Sequence, residues 1–264
     1  MSNKAYLYLT PIKLNFMKTL FIITGLFILF FGLSCVKQEI PVDRTNLHDD
    51  EIILGYDYPI KPGTEEWKRL SNSAEKIEVC QIPASILTKL TTEELVNTCL
   101  RYPPLQNIYA FNNIQRGVEK LIQDFNGIRE LLNRKDAYEE TLKVYSKKIN
   151  NSSVLLEKTA SIKKGSYIIT LSSIEMILCQ IELRTHPNVE IQKTVMKELL
   201  KGYNLKLNNN EEFRGFGFTT NLLSRASIVL KKNTPLMSNT PSDIKIDANM
   251  INRIDLESQN LVNK

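Results

Sequence analysis

The segment from Ile168 to Leu183 constrains the fold more than any other part of the sequence, because it is apolar on nearly every side of a helical projection. A helix without a polar face is covered by other elements all round, so this segment predicts a central, buried helix. Its first part, YIITL at residues 167–171, would also suit a strand in isolation. No convincing alternating pattern elsewhere supplies strands to pair with it, and a helix is the better interpretation.

The segments around this helix carry an apolar stripe on one face only. Apolar residues recur at three- and four-residue steps within 113–133, 138–149, 195–203 and 222–230, which is the spacing of one face of an amphipathic helix. Several shorter helices are expected between residues 64 and 102. The sequence therefore predicts an all-α fold, a single domain of about nine helices, and antiparallel helix pairs stacked as an α-α array would fit this pattern.

Two helix starts can be read directly from the sequence. Thr64 precedes two glutamates and can cap a helix that begins there, since its hydroxyl accepts from a free backbone N–H. Thr91 and Glu94 have the spacing of a capping box. Paired glutamates open several predicted helices, where their charge suits the helix dipole. Paired carboxylates could also perform glycosidase chemistry across a cleft, but capping is the stronger explanation.

The N-terminal region has the three parts of a secretory signal. Met17 and Lys18 give a short basic start, and the fourteen residues Leu20–Leu33 carry no charge. This apolar run is short for a membrane-spanning helix, which needs about 20 residues. Because residues 1–16 precede a complete signal, Met17 is the expected natural start.

The residue after the expected cleavage site is Cys35. The segment Gly32–Cys35 resembles the lipobox of bacterial lipoproteins, although Leu33 lies one place later than the usual leucine. The resemblance implies that Cys35 is acylated, with chains such as palmitate, and becomes the N-terminus of the mature protein. Each buried CH₂ contributes about 0.8 kcal/mol, so several chains hold a protein firmly on a membrane. The alternative is an uncleaved signal anchor in which Cys35 is an incidental thiol.

Composition divides the chain into four segments. Residues 1–34 are the predicted lipoprotein signal peptide, and residues 35–62, with three prolines and an acidic cluster, resemble a tether. Residues 63–232 form the predicted helical domain. Residues 233–264 lose the helical pattern, so we expect a weakly ordered tail with a short helix near 248–256.

The charge balance argues against a nucleic-acid partner. Residues 1–34 hold three lysines and no acidic residue, so the mature chain carries 31 basic and 29 acidic groups. A protein that binds phosphate backbones shows a strongly basic surface instead. The partners expected are the membrane, through the N-terminal lipid, and an envelope protein, peptide or glycan.

The sequence contains no pattern of residues that predicts a catalytic site or a metal site. His48 lies in the predicted tether and His186 at a helix break, without a partner at metal-ligand spacing. The segment Gly215-Phe216-Gly217 is part of a phosphate-loop pattern, but no strand precedes it, and a tight turn before a helix explains it better. We therefore predict no catalytic residue, no metal and no cofactor.

Three cysteines remain in the mature chain besides Cys35. Cys80, Cys99 and Cys179 lie in apolar helical surroundings and form no CxxC pair. The leading interpretation is three buried thiols, since a free cysteine behaves as a small hydrophobe. A Cys80–Cys99 disulfide between neighbouring helices is the alternative in an oxidising compartment.

A ligand groove is the one binding hypothesis that the residues suggest. Aromatic side chains beside amide side chains could bind a sugar or a peptide. At these spacings the aromatic residues also suit a core, and the amides suit hydrogen bonds at helix ends. The residues of this candidate groove are Trp67, Tyr102, Asn112, Asn113 and Asn126.

Several segments of the chain resemble a family of uncharacterised lipoproteins from gut Bacteroidetes. They include GTEEW at 63–67, CQIP at 80–83, FNGIREL at 125–131 and GFGFTTN at 215–221. The likeness covers roughly residues 55–232. It implies a secreted, lipid-anchored helical protein, and it implies no activity.

These observations together predict a membrane-anchored envelope lipoprotein, held at the outer membrane on its periplasmic face or at the cell surface. Because no catalytic constellation accompanies the anchor, a non-enzymatic binding or scaffold module is the expected function. The alternative is a hydrolase that acts on envelope or dietary polymers, which would need a pocket with convergent polar groups.

Overall fold

The computed structural model describes residues 55–157, 161–180, 188–213, 216–230 and 247–264. Within these ranges the chain forms α-helices and 3-10 helices and no strand, so the predicted all-α single domain is confirmed. The 3-10 helices span Leu105–Ala110 and Ser153–Leu156. The α-helices are α1 (Glu65–Arg69), α2 (Ser73–Val79), α3 (Ala84–Leu87), α4 (Thr92–Leu100), α5 (Ile114–Asp124), α6 (Asn126–Asn133), α7 (Ala137–Asn150), α8 (Ser161–Gln180), α9 (Val189–Asn208), α10 (Phe216–Val229) and α11 (Ala248–Asn263).

Helix α8 is the centre of the domain, as its apolar sequence predicts. Every residue from Leu171 to Cys179 is buried. The helix packs most extensively against α10 and also against α7. It begins at Ser161, earlier than the apolar segment alone indicates, and residues 181–183 of the predicted helix lie outside the described part of the chain.

The helix starts read from the sequence are present. The Thr64 hydroxyl accepts from the backbone N–H of Trp67 at the start of α1. At the start of α4, Thr91 and Glu94 form both hydrogen bonds of a capping box. Hydrogen bonds from the backbone N–H and then the hydroxyl of Thr91 hold the pKa of Glu94 below its usual value, because they stabilise the carboxylate.

The prediction of one helix over residues 113–133 is wrong. The chain leaves the helix at Phe125, whose φ of −119° and ψ of 120° are extended, and α6 begins at the next residue. The Phe125 ring stacks on Tyr102 with 3.9 Å between ring centroids, and the Asn126 N–H donates to Gln81 Oε1. These contacts with distant segments replace the helical hydrogen bonds that a continuous helix would make.

The C-terminal segment is more ordered than its composition predicts. Helix α11 runs over 16 residues and packs against α9 and α10. Its Ile254 and Ser258 are buried, so residues 247–264 belong to the domain rather than to a weakly ordered tail. Residues 231–246 lie outside the described part of the chain.

The domain also begins earlier than the predicted boundary at residue 63. Tyr58 is buried and its hydroxyl donates to the Thr98 carbonyl, while the Tyr56 N–H donates to Thr98 Oγ1. Gly55 has a φ of +95°, and a Cβ there would lie 2.4 Å from the Glu94 carbonyl oxygen, so the approach of this segment to α4 requires glycine. Residues 55–62 of the predicted tether are therefore part of the packed domain.

Candidate functional site

The predicted lipidation residue Cys35 lies outside the described residues, as do His48 and His186. Among the described helices, none is long and apolar enough to cross a membrane. The described part of the chain also contains no group of three or more His, Cys, Asp or Glu side chains that could hold a metal ion.

The residues of the candidate groove have separate structural roles. Tyr102 is buried in the core against Phe125. Asn126 accepts from the Ile82 N–H at 3.0 Å and donates to the Ile82 carbonyl at 2.7 Å, so both ends of its amide tie α6 to the segment before α3. Asn113 caps α5 by accepting from the Gln115 N–H.

The other two groove residues lie nearer the surface. Trp67 is half-buried, and the Lys76 ammonium lies 5.5 Å from the centroid of its ring, within the range of a cation–π contact. Asn112 is exposed. Asn126 uses both ends of its amide, and Asn113 its side-chain oxygen, for hydrogen bonds to backbone groups, so these two groups have roles within the fold, and the groove stays a prediction.

Cys80, Cys99 and Cys179 are buried free thiols, as the leading interpretation predicts, and the structure has no Cys80–Cys99 disulfide. Burial raises the pKa of Cys80 to about 11 and of Cys179 to about 12, and it raises the pKa of Cys99 further. A thiol with a raised pKa carries little thiolate at neutral pH and is a poor nucleophile.

The most unusual feature of the domain is a charged group of residues in its interior, here called the Glu175 centre. It consists of Glu175 on α8, Lys206 on α9, Tyr145 on α7, and Thr220 and Asn221 on α10. All five residues are fully buried. Charged side chains are almost never fully buried unless they are paired, so their contacts define what this centre can do.

Both carboxylate oxygens of Glu175 accept two hydrogen bonds. Oε2 accepts from Lys206 Nζ at 2.5 Å and from Thr220 Oγ1 at 2.6 Å. Oε1 accepts from the Tyr145 hydroxyl at 2.8 Å and from Asn221 Nδ2 at 3.1 Å. Four donors from three helices thus satisfy the one acidic side chain of the centre.

Lys206 supplies the opposing charge. Besides Glu175, its ammonium group donates to the Gly217 carbonyl at the start of α10 and lies 5.6 Å from the Phe213 ring centroid. Burial lowers the pKa of Lys206 below its ordinary value, although the Glu175 carboxylate acts in the opposite direction. Because Lys206 is removed from water, its neutral amine form is favoured over its ammonium form more than it would be for a lysine at the surface.

A second ion pair extends the centre toward α11. The Arg225 Nε–H donates to Asn221 Oδ1 at 3.0 Å, and Arg225 Nη1 contacts Asp255 Oδ1 at 2.5 Å. The guanidinium lies 4.5 Å from the centroid of the Tyr203 ring. Arg225 is itself 1% exposed, so Asp255 of α11 satisfies a cation that the core would otherwise leave unpaired.

Close packing around Tyr145 depends on a glycine of α9. A Cβ at Gly202 would lie 1.9 Å from the Tyr145 hydroxyl oxygen. Burial is the main cause that raises the pKa of Tyr145 well above its ordinary value, so this hydroxyl remains a hydrogen-bond donor to Glu175. The absence of a side chain at residue 202 is what allows α9 to approach the centre this closely.

The Glu175 centre is not among the sites predicted from the sequence, although a signal for it exists. Glu175 is the only acidic residue within the apolar run 167–181, and a lone carboxylate on a buried helix requires a buried partner. Thr220 and Asn221 lie in the GFGFTTN segment, which the sequence connects only with a tight turn at Gly215-Phe216-Gly217 and with the family resemblance. Nothing in the sequence indicates that Lys206 is the partner, since it lies among the exposed lysines of an amphipathic pattern.

The Glu175 centre is closed to substrates in this structure. Its charges form ion pairs, and its donors and acceptors satisfy one another. A recess between α5 and α8, lined by apolar residues such as Leu105, Val118 and Met176, has room for about one water molecule. The chemistry available to the centre is therefore limited to reactions among its own groups.

Comparison with protein-family models, curated proteins and solved structures finds no match to this chain.

Proposed function

We propose that the chain is a lipid-anchored protein of the bacterial cell envelope, and that its helical domain is a non-catalytic binding or scaffold module. The N-terminal pattern supports the anchor, because the uncharged run Leu20–Leu33 is followed directly by Ser34 and Cys35. Acyl chains on Cys35 would hold the domain at a membrane surface. Its partner would be an envelope protein, a peptide or a glycan.

One observation carries the non-catalytic part of the proposal: the charged groups inside the domain are consumed by one another. Glu175 accepts from four donors, and Lys206 and Arg225 are both paired with carboxylates. Catalytic groups instead face a cavity that a substrate can enter. The buried polar chemistry of this domain therefore supports a role in specifying the fold.

The hydrolase alternative would need an activated thiol or a pair of carboxylates across a cleft. Burial raises the pKa values of the three thiols, which opposes a nucleophilic role. The glutamate pairs at 65–66, 93–94 and 139–140 lie in the first turns of α1, α4 and α7, where the helix dipole accounts for them. These features favour the binding or scaffold module.

The anchor is tested by intact mass and detergent partitioning of the full-length chain expressed in a Bacteroidetes host. We expect a mass that begins at Cys35 and includes acyl chains, and partitioning into the detergent phase. The variant Cys35→Ala should lose both properties. The matched control Cys80→Ala removes a different thiol and should keep both. A wild-type protein that retains residues 1–34 without acyl chains would rule out the lipoprotein proposal.

The non-catalytic part is tested separately with the unacylated Cys35→Ala protein. We expect no turnover when it is incubated with peptide and glycan libraries, and retention of a subset of those ligands in pull-down measurements. Cleavage at enzyme-like rates that persists after repurification would establish the hydrolase instead.

A further inference from the structure

The Glu175 centre holds an amine and a carboxamide on the two oxygens of one carboxyl group. Lys206 Nζ contacts Glu175 Oε2 at 2.5 Å, and Asn221 Nδ2 contacts Glu175 Oε1 at 3.1 Å. All three side chains are fully buried. The amine and the carboxamide thus contact the same proton carrier, and holding two such groups on one carboxyl group makes a reaction between them intramolecular.

We propose that Lys206 and Asn221 become joined by an intramolecular amide bond, with Glu175 as the proton-transfer group. The bond that forms links Lys206 Nζ to Asn221 Cγ. The bond that breaks is the Cγ–Nδ2 bond of Asn221, and ammonia leaves. The reaction is an exchange of one amide for another, so neither an oxidant nor a further reactant takes part.

The nucleophile is the Lys206 amine after its ammonium group has passed a proton to Glu175 Oε2. Their contact at 2.5 Å provides the path for this transfer. Burial favours the neutral amine, since it lowers the pKa of Lys206. The Phe213 ring and the Gly217 carbonyl hold the Lys206 side chain in place, so the amine is positioned as well as desolvated.

The electrophile is the Asn221 carbonyl carbon, and Arg225 activates it. The Arg225 Nε–H donates to Asn221 Oδ1 at 3.0 Å, the atom on which negative charge develops when the amine attacks. A fixed donor at a developing oxyanion stabilises the transition state, more so where water is excluded. Asp255 and the Tyr203 ring hold the guanidinium in that position.

The leaving group contacts the acid that would protonate it. Asn221 Nδ2 donates to Glu175 Oε1, so the protonated carboxyl group of Glu175 can return a proton to Nδ2 as the Cγ–Nδ2 bond breaks. Of the three protons on the Lys206 ammonium, one remains on the new amide nitrogen. The other two pass to Glu175, and one of these leaves in the ammonia while the second stays on the carboxyl group.

The product would cross-link α9 to α10 in the interior of the domain, where proteases and reductants cannot reach it. A covalent link within a protein that works outside the cell resists unfolding in the way a disulfide does, by restricting the unfolded chain. The bond does not depend on acylation of Cys35, so its test is independent of the lipid anchor.

The test is a peptide map of the full-length chain, purified from expressing cells, denatured and digested with trypsin. Trypsin cuts after Lys201, Arg214 and Arg225, but not after a Lys206 whose amine is amidated. We expect peptide 202–214 joined to peptide 215–225, one ammonia lighter than their sum, with fragment ions that place the branch at Lys206 and Asn221. Free peptides 202–206 and 215–225 as the main products would overturn the proposal, as would ammonia loss without a branched peptide.

The role of Glu175 is tested with Glu175→Gln, which we expect to abolish the branched peptide. The matched control Glu190→Gln changes an exposed carboxylate on α9 that pairs with Lys193 and should leave the branched peptide unchanged. Wild-type yield of the link in a folded Glu175→Gln protein would overturn the proton-transfer role. Should that variant fail to fold, the wild-type map still decides whether the bond exists.

Discussion

In the first part of the domain, residues 55–133, polar side chains mainly close helix ends and joints between segments. In the second part, the described residues of 137–264, they meet in the interior. Thr64, Asn72, Thr91 and Asn113 cap four of the helices in the first part. The second part also has side-chain caps, at Asn188 and Asp247, but it adds the Glu175 centre and the ion pair between Arg225 and α11.

Helix length accounts for the larger number of capping side chains in the first part. Every helix leaves four backbone N–H groups at its start without a helical partner. The α-helices of the first part have 4 to 11 residues, whereas α8 and α9 have 20 each. Short helices therefore have a larger share of backbone groups that require capping side chains, while long helices satisfy most of their own backbone.

The cores of the two parts also differ in the kind of contact that holds their helices in register. Tyr58, Tyr102 and Phe125 form an aromatic core in the first part, with ring contacts between neighbours in that series. Such contacts depend on shape. In the second part, a helix that shifted by one turn would leave Glu175 or Lys206 buried and unpaired, which is costly. We infer that the Glu175 centre fixes the register of α8, α9 and α10.

The largest expected effect comes from breaking the ion pair of the second part. In protein whose Lys206 and Asn221 are not joined, Glu175→Ala leaves the Lys206 ammonium buried without its carboxylate, and we expect a loss of about 3–5 kcal/mol in the free energy of unfolding relative to unjoined wild type. Chemical denaturation followed by circular dichroism measures it. The double variant Glu175→Leu with Lys206→Met removes both charges and should recover most of the loss. If the double variant is as unstable as the single one, an unpaired charge is not the cause.

The next effect concerns the close approach of α9 to α7. Gly202→Ala places a methyl group against the Tyr145 hydroxyl, and overpacking of this kind costs about 1–3 kcal/mol. The matched control is Gly165→Ala on α8, where a Cβ would meet nothing within 4 Å. That change should stabilise the protein by about 0.5–1 kcal/mol, since glycine within a helix is unfavourable. Equal effects of the two variants in thermal unfolding would contradict the packing argument.

In the first part, the sharpest test separates two residues of the predicted groove. Asn126→Ala leaves the N–H and carbonyl of Ile82 without their partner, and we expect a loss of about 1–2 kcal/mol in the free energy of unfolding. Asn112→Ala changes an exposed side chain and should stay within about 0.5 kcal/mol of wild type. A larger effect at Asn112 would contradict the view that its exposed side chain has no structural role.

The smallest expected effect is at the capping box of α4. Thr91→Ala should cost about 1 kcal/mol at neutral pH, whereas Thr194→Ala on the exposed side of α9 should change stability little. Because the hydrogen bonds of Thr91 lower the pKa of Glu94 in the folded state, their contribution is present above pH 4.5 and is lost as the pH falls through the folded pKa. The difference between wild type and Thr91→Ala should therefore narrow in acid, as the bond from the Thr91 hydroxyl to the Glu94 carboxylate is lost, while the part due to the cap bond from the Glu94 N–H to Thr91 Oγ1 remains. A constant difference across that pH range would separate Thr91 from the titration of Glu94.

Much of the first part follows from local sequence signals. The caps at Thr64 and Thr91 and the helical stripes are readable because their partners lie within four residues. The break at Phe125 was not readable, because the hydrophobic stripe continues through it, and the contacts that favour the break come from Gln81 and Tyr102. The prediction of a weakly ordered C-terminal tail was wrong for a similar reason. Most residues of α11 are polar, and only a few, Ile254 and Asp255 among them, bind the helix to the domain.

The sequence by itself determined the all-α class, the central position of α8 and the burial of the three cysteines as free thiols. Periodicity and the preference of a residue for burial are local properties of the sequence. It also contains the N-terminal pattern on which the lipid-anchor proposal depends. The tertiary structure alone decided which side chains satisfy Glu175, since its partners lie 30 to 46 residues away along the chain. An acidic residue in an apolar helix indicates that a buried partner must exist. Which residues are its partners depends on how α7, α9 and α10 pack around α8, and these partners are Lys206, Tyr145, Thr220 and Asn221.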